Sequence, residues 1–169
     1  MDVLFYQKTD SDPAVKIVEF LAREIWPEYY TPIIGSAQVD YMLDHFQSAA
    51  AIQEQIKGGH VYYLIMYGRI PTGYLSVLPE PEKGALFLGK LYISSLYRGQ
   101  GFGVQTLNFV EKTARGAGLS KITLQVCKKN ASAISFYEHC GFRIAGPVFK
   151  DIGGGFAMDD LILEKNVKH

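Results

Sequence analysis

The sequence predicts an α/β (α+β) fold with a mixed, mostly antiparallel, twisted sheet of about seven strands flanked by about four helices. Segments with strand-like and helix-like hydrophobic spacing follow one another in the order β-α-α-β-β-β-α-β-α-β-β. The hydrophobic fraction of 48% is that of a folded chain with a substantial core. Because no repeat, linker or low-complexity tract divides the sequence, we expect one domain over residues 1–169.

The first part of the chain supplies one strand and two helices. Residues 3–9, VLFYQKT, predict the opening strand. The Ser-Asp-Pro segment at 11–13 favours a helix start, and we expect Pro27 to end that helix. Apolar residues from Val39 onward continue at helical spacing, and a glycine pair at 58–59 predicts the end of the second helix.

The second part alternates strands with two helices. It contains, in order, a hairpin over 60–80 that turns at Gly68, a strand over 84–94, a helix that starts near residue 102, a strand over 121–126, a short helix over 132–140 and two closing strands joined at Gly153–Gly155. This order predicts a mixed sheet covered by helices.

Composition narrows the classes of partner. Lysine plus arginine equals aspartate plus glutamate, 17 each, which gives no electrostatic reason to expect nucleic acid or an anionic membrane surface as a partner. No apolar run is long enough to span a bilayer, and the first ten residues lack a secretory signal. Cys127 and Cys140 have no CxxC spacing and are expected to be reduced thiols. We expect a cytoplasmic protein without a metal; the oligomeric state is open, with a homodimer as one alternative.

Three glycines, Gly99, Gly101 and Gly103, lie between a predicted strand and a helical pattern. The first turn of a helix leaves amides without intrahelical partners, and the helix dipole adds partial positive charge there. Glycine permits positive φ and lets a ligand approach the main chain closely. The segment therefore predicts a phosphate cradle to which Arg98 adds a charged contact, with a tight strand-to-helix turn as the alternative.

Spacing weakens two other nucleotide-binding interpretations. The order from Arg98 to Gly103 does not fit the GxGxxG of dinucleotide-binding folds. Residues 84–90 match the GxxxxGK of an NTP-binding loop, but Leu91 stands where a Mg²⁺-binding Ser or Thr is required. The intervening ALFL is typical of a strand rather than a loop, so an NTP-binding domain is the weaker alternative.

Two motifs together point to a family. Arg98 to Gly103 fits R/Q-x-x-G-x-G, and Asn130 to Phe142 fits N-x-x-A-x-x-x-Y-x-x-x-G-F. In this order and separation they resemble the coenzyme A site of the GCN5-related N-acetyltransferase (GNAT) family. The resemblance covers residues 88–142, about a third of the chain, and it implies the GNAT fold with acetyl-CoA as cosubstrate.

In this family the coenzyme occupies a wedge between two adjacent parallel strands, here the strand that ends near Ile93 and the strand over 121–126. The resemblance implies that the pantetheine arm uses main-chain groups of residues 91–93 and that the pyrophosphate rests on amides of residues 98–103. The implied coenzyme-binding residues are Leu91, Tyr92, Ile93, Arg98, Gly99, Gln100, Gly101, Phe102, Gly103, Asn130, Ala133, Ser135 and Tyr137.

Some of these residues also have an alternative interpretation in which they do not contact the coenzyme. Asn130 precedes a helix and is equally a capping residue, and the two roles are compatible. Lys128 and Lys129 are candidates for the 3′-phosphate, although exposed lysines after a strand are usually only solvated.

Tyr137 is the predicted catalytic residue, because the family's tyrosine at this position lies near the sulfur and serves as general acid. A phenol pKa near 10 and a thiol pKa near 8.5 make complete proton transfer uphill by roughly 2 kcal/mol. A hydrogen bond that stabilises the departing thiolate is therefore an equal alternative. Without the motif, Tyr137 would be interpreted as a core aromatic beside Phe136. The oxyanion is expected at a main-chain N–H near Ile93.

The general base is not assigned by the sequence. An alkylamine with a pKa near 10.4 is only about one part in 2,500 neutral at pH 7, so a proton acceptor is needed. Many relatives carry an acidic residue on the strand before the glycine loop, where this chain has Gly89 and Lys90. The remaining candidates, each also a plausible surface charge, are Glu28, Asp44, His45, Glu82, Asp159 and Asp160.

The acceptor is expected at the segment that follows the first helix. Trp26, Tyr29 and Tyr30 with Glu28 are candidates to hold a cation by ring faces and charge, with aromatic packing between two helices as the alternative. We expect a small primary amine or a polyamine as acceptor. Acetylation of protein amines, and a non-catalytic acyl-CoA sensor on the same fold, are the alternatives.

Overall fold

The computed structural model describes residues 3–169. Its strands are β1 (Phe5–Lys8), β2 (Val61–Tyr67), β3 (Ile70–Glu80), β4 (Ala85–Ile93), β5 (Lys121–Cys127), β6 (Arg143–Gly153) and β7 (Phe156–Asn166). Its α-helices are α1 (Asp12–Ile34), α2 (Ser36–Phe46), α3 (Ala49–Lys57), α4 (Phe102–Gly116) and α5 (Ala131–His139). Two short 3₁₀ helices, Pro81–Lys83 and Ser95–Tyr97, precede and follow β4.

The strands form one sheet in the order β1-β2-β3-β4-β5-β7-β6. The pairs β1–β2, β2–β3, β5–β7 and β6–β7 are antiparallel. The pair β4–β5 is parallel, with residues 85–88 beside residues 121–124. The predicted mixed, mostly antiparallel sheet of seven strands is therefore confirmed.

The helices depart from the sequence prediction at two places. The expectation that Pro27 ends the first helix is wrong, because α1 continues through Pro27 and Pro32 to Ile34. Ile25 and Trp26 are buried immediately before the proline, and we attribute the continuation to this packing, which outweighs the local preference to stop. The predicted second helix is two helices, because Ser48 caps a new helix start by accepting a hydrogen bond from the Ala51 amide.

The chain divides into two compact units, and the single-domain prediction stays a prediction. The first unit contains the described residues up to Leu78 together with Lys90–Asn108. Its fully buried side chains include Val18, Val39, Ile52, Tyr62, Leu64, Ile65, Tyr74 and Leu75. Within it, the Trp26 indole N–H donates to the Tyr74 hydroxyl at 3.2 Å, and this hydroxyl donates to the Gln47 side-chain carbonyl at 2.8 Å. These buried bonds join α1, β3 and the end of α2.

The second unit contains Pro79–Gly89 and Phe109–His169. Its fully buried side chains include Leu86, Val110, Ile122 and Leu163. The Lys165 ammonium on β7 lies 2.6 Å from the Glu111 carboxylate on α4, which fastens this helix to the strand. The residues just before β4 and β5 are also joined, because the Ser120 amide donates to the Gly84 carbonyl at 2.9 Å.

Candidate active site

The glycine loop presents bare main chain. Gly99 and Gly101 have φ values of 76° and 81°, which side chains rarely adopt. A Cβ built on either glycine would meet nothing within 4 Å. A side chain at these positions would therefore not clash with the protein. Glycine is favoured there by the positive φ, and its lack of a side chain leaves the main chain open to a ligand.

The start of α4 leaves amides for a ligand. The Gln105 amide donates to the Gly101 carbonyl at 3.1 Å, which is the first bond of the helix. The amides of residues 102–104 precede it and have no intrahelical carbonyl to bind. Gly101 carries no side chain to cap them, as is also true of Gly35 before α2, whereas the side chains of Ser11 and Ser48 cap α1 and α3.

An aromatic stack anchors this loop. The Phe102 ring is buried, and it stacks on the rings of Tyr97 at 5.9 Å and Tyr67 at 5.7 Å between centroids. Because Phe102 is the first residue of α4, its anchorage fixes where the helix begins. The amides of the first turn therefore follow a residue whose side chain is packed in the first unit.

Arg98 is held by three partners from its own unit. Its Nε donates to the Ile93 carbonyl at 3.0 Å, and its Nη1 donates to the Glu28 carboxylate at 2.9 Å. Its guanidinium carbon lies 5.1 Å from the centre of the Tyr29 ring. The sequence suggested Arg98 as a phosphate contact but gave no signal for its pairing with α1.

The predicted acceptor residues lie within α1, and the expectation that they follow the first helix is wrong, because the helix continues through Pro27. The Tyr30 ring lies 4.4 Å from that of Trp26 and 4.9 Å from that of Tyr29, and its hydroxyl donates to the Tyr92 hydroxyl at 3.2 Å. Trp26 is only 2% exposed and belongs to the core, while Glu28 is exposed. The expected packing alternative lay between two helices, but these rings pack between α1 and β4.

One glycine lets β4 approach β3 closely beside these rings. A Cβ on Gly73 would lie 2.2 Å from the Tyr92 carbonyl oxygen, so no other residue fits there without a shift of the main chain. The Ser94 amide, two residues on, donates to the Thr72 carbonyl at 2.8 Å. Both contacts fix the end of β4, where the resemblance implies that the pantetheine arm binds.

In the second unit, Asn130 and Tyr137 lie at opposite ends of α5. The Asn130 side chain is 3% exposed and caps the helix by accepting from the Ala133 amide at 3.3 Å. The half-buried Tyr137 ring packs edge-on against Phe136 and Phe142, with centroids 5.3 and 5.4 Å away. Ser135 is exposed on the same helix.

Most base candidates are engaged in surface contacts. Asp44 lies 3.6 Å from Arg23, and Asp159 lies 3.0 Å from Lys128. The ring of His45 stacks on Tyr41 and lies 2.8 Å from the Tyr41 carbonyl through Nδ1. Glu28 pairs with Arg98, and Glu82 is exposed in a 3₁₀ helix.

Asp160 differs from the other candidates. This β7 residue is only 4% exposed. Burial, together with the adjacent Asp159 carboxylate, raises the pKa of Asp160 to about 6. A carboxylate with such a pKa is largely ionised at neutral pH yet is a stronger base than an ordinary aspartate.

The contacts of Lys90 were not predicted from the sequence. Its amine donates to the Phe46 carbonyl at 2.8 Å and to the Gln55 side-chain carbonyl at 3.0 Å, and it lies 5.1 Å from the centre of the Tyr62 ring. Burial lowers the pKa of Lys90 to about 7. The only sequence signal is a lysine inside the apolar strand ALFLGKLYI. The Lys90 side chain on β4 therefore links this strand to the end of α2 and to α3.

Over residues 3–169, the seven-stranded sheet with its five α-helices has the acyl-CoA N-acyltransferase fold. The profile of the Acetyltransferase (GNAT) family matches residues 19–142, and the chain belongs to this family. It is 30% identical over 86 residues to the uncharacterized N-acetyltransferase YycN of Bacillus subtilis strain 168, a match that covers 50% of this chain. The match reaches 55% of that relative, so the chain spans little more than half the length of this curated protein.

Solved structures share the fold. PaiA N-acetyltransferase from Thermoplasma acidophilum, crystallised with coenzyme A, superposes with a TM-score of 0.76 at 19% identity, over 97% of this chain and 99% of that one. A chimera of spermidine N-acetyltransferase SpeG from Vibrio cholerae and hSSAT superposes with a TM-score of 0.72 at 16% identity, over 96% of this chain and 95% of that one. At these identities the likeness shows the fold alone.

Residues 3–169 contain neither a candidate membrane span nor a candidate metal cluster. None of their helices is both long and apolar enough to cross a membrane. Within the same residues, no group of three or more His, Cys, Asp or Glu side chains is placed to hold a metal ion.

Replacement of Lys90 by Met should remove a pH dependence of stability. The pKa of Lys90 is about 7 in the folded chain and 10.5 in the reference state. Between these values the unfolded chain binds a proton that the folded chain does not, so the free energy of unfolding rises with pH by at most about 1.4 kcal/mol per pH unit. We expect Lys90→Met to lose this rise in urea titrations between pH 7 and 9.

The matched control is Lys57→Met, which removes an exposed lysine on α3 that pairs with Glu54. It should keep the pH dependence of the unmodified protein. Parallel curves for Lys90→Met and the unmodified chain would show that the amine of Lys90 is not desolvated.

Proposed function

We propose that this chain transfers the acetyl group of acetyl-CoA to a primary amine by direct attack in a ternary complex. The match to the GNAT family supports this activity. The observation in the chain itself that carries the proposal is the glycine loop, where positive φ, open space and the first-turn amides of α4 coincide. Such a loop is chemically suited to a diphosphate.

The coenzyme is proposed to bind along the residues that the family motifs designate. Its pyrophosphate binds the amides of residues 98–103, and its pantetheine arm follows the main chain of residues 91–93. Asn130, Ala133, Ser135 and Tyr137 on or before α5 complete the proposed contacts. Because the side chain of Asn130 already caps α5, its contact with the coenzyme uses the remaining hydrogen-bonding capacity of the amide.

The proposed chemistry needs one proton acceptor and one group that stabilises the thiolate. The neutral amine attacks the thioester carbonyl, a C–N bond forms, and the C–S bond then breaks. The amine's proton passes to the Asp160 carboxylate, directly or through water. The Tyr137 hydroxyl donates a hydrogen bond to the departing sulfur, which lowers the barrier without requiring complete proton transfer.

The acceptor is proposed to be a small primary amine or a polyamine. The exposed Glu28 carboxylate pairs with the Arg98 guanidinium, which also lies 5.1 Å from the centre of the Tyr29 ring, so this carboxylate and this ring suit a cation such as an ammonium group. The structural neighbour SpeG acts on spermidine according to its name, which makes polyamines a reasonable first choice of substrate. Protein amines, and a non-catalytic acyl-CoA sensor, are the competing proposals.

We propose a cytoplasmic location for the protein. Cys127 and Cys140 are both free thiols, the state that a reducing compartment maintains.

Substitution of Gly101 by Ala should weaken coenzyme binding by about tenfold or more, because a Cβ in this loop obstructs the approach of the phosphates. Titration calorimetry with coenzyme A measures the effect. Gly118→Ala is the matched control, since Gly118 also has positive φ, 72°, and open space around it. Equal coenzyme affinity in folded Gly101→Ala and Gly118→Ala would contradict the phosphate cradle.

Substitution of Tyr137 by Phe should lower kcat by about 10- to 100-fold and leave coenzyme affinity nearly unchanged, because the hydroxyl acts on the departing thiolate. Release of free coenzyme A from acetyl-CoA, measured with a panel of amines, tests both the variant and the activity. Tyr63→Phe on β2 serves as the control. Coenzyme binding without turnover of any amine would favour the sensor instead.

Substitution of Asp160 by Asn should lower the activity without lowering the stability of the fold. We expect kcat/KM to fall about 100-fold and to lose its rise through pH 6, because the proton acceptor is gone. The raised pKa means that the folded chain binds a proton more tightly than the unfolded chain between pH 3.8 and about 6, so the ionised carboxylate lowers stability above pH 6. Asp160→Asn should therefore be at least as stable at pH 7.5 by thermal unfolding. A variant with full activity would exclude Asp160 as the base.

A further inference from the structure

The ion pair between Arg98 and Glu28 joins two parts of the proposed site within the first unit. Arg98 belongs to the glycine loop, and Glu28 belongs to the aromatic segment of α1. Their charged groups lie 2.9 Å apart, and the side chains are 34% and 50% exposed. The Arg98 guanidinium also covers the Tyr29 ring. The pair therefore covers part of the surface to which an acceptor would bind.

Each member of the pair has a competing partner in the proposed reaction. A phosphate would attract the Arg98 guanidinium, and an ammonium group would attract the Glu28 carboxylate. While the two residues neutralise each other, each offers a weaker field to its ligand. Each ligand would therefore bind its partner residue more strongly once the ion pair has separated.

The chemistry of transfer limits what Glu28 can bind. The reacting amine must be neutral when it attacks the thioester, so a carboxylate that holds an ammonium is suited to a second amine of the same acceptor. A diamine or longer polyamine has such a group, whereas a simple alkylamine does not.

We propose that the Glu28–Arg98 pair couples the two binding events, so that coenzyme draws Arg98 away and frees Glu28 for the distal ammonium of a diamine or polyamine. This inference rests on the proposed function. Whichever ligand binds first separates the pair, and the second ligand then binds without that cost. By linkage the coupling is reciprocal, with each ligand raising the affinity of the other by the same factor.

The size of the coupling follows from the pair's exposure. Partly exposed ion pairs stabilise proteins only weakly, so the coupling factor should be about two- to fivefold. The substitution Glu28→Gln removes the pair without removing Arg98. It should therefore raise the affinity for coenzyme A alone by a similar factor, about two- to fivefold. A purely structural role of Glu28 would predict no such increase.

The experiment is titration calorimetry with coenzyme A and 1,4-diaminobutane, each alone and in the presence of the other. In the unmodified protein we expect the diamine to bind about two- to fivefold more tightly when coenzyme A is bound. 1-Aminobutane, which lacks the second ammonium, should show no coupling. In Glu28→Gln, coenzyme A should bind more tightly, and the coupling should disappear.

Glu24→Gln is the matched control, because Glu24 is an exposed carboxylate one turn earlier on the same helix. It should behave as the unmodified protein. Equal diamine affinity with and without coenzyme A, or coupling that survives in Glu28→Gln, would overturn the inference.

The outcomes separate this inference from the proposed function. Thiol release with a diamine but no binding coupling would refute the role of the pair and leave acetyl transfer intact. Coupling that depends on Glu28, without any turnover, would support the pair and refute the transferase.

Discussion

A polar group that is removed from water needs a partner, and this requirement fixes the helices of the first unit. Trp26 binds the Tyr74 hydroxyl, and this hydroxyl binds Gln47, in a chain of buried hydrogen bonds from α1 through β3 to the end of α2. An unpaired member would cost about 1–3 kcal/mol, so the three elements are placed together or not at all. The Lys90 amine is paired in the same way, since it donates to the Phe46 main-chain carbonyl and to the Gln55 side-chain carbonyl.

The same requirement separates α2 and α4, which begin after Gly35 and Gly101, from α1 and α3, which have serine caps. The carbonyl that closes the first turn of α4 belongs to Gly101, which has no side chain to satisfy the amides that follow. Those amides remain available to a ligand, and the buried Phe102 ring keeps them in place. What distinguishes α4 from α2, which also lacks a side-chain cap, is the family motif with Arg98 directly before its first turn.

The sequence predicted what local patterns encode. Alternating strands, the glycine turns and the two family motifs led to the seven-stranded sheet and to the family. The course of α1 through Pro27 could not be predicted, because it depends on burial of Trp26 against distant strands. The contacts of Arg98 with Glu28 and of Lys90 with Phe46 likewise join residues that are far apart in the chain, by 70 and 44 positions. A local sequence pattern does not predict such pairs. The break between α2 and α3 did have a signal, the capping residue Ser48.

Burial moves the pKa values of Lys90 in the first unit and Asp160 in the second unit towards neutrality from opposite sides. Lys90 is lowered to about 7 and Asp160 is raised to about 6. The amine of Lys90 has two carbonyl partners and an aromatic face, so packing of α2 and α3 accounts for it. The surroundings of Asp160 disfavour its charge, since the neighbouring Asp159 carboxylate adds to the effect of burial. A charge held at a cost to stability calls for a different reason, and the role of base that we propose for Asp160 is such a reason.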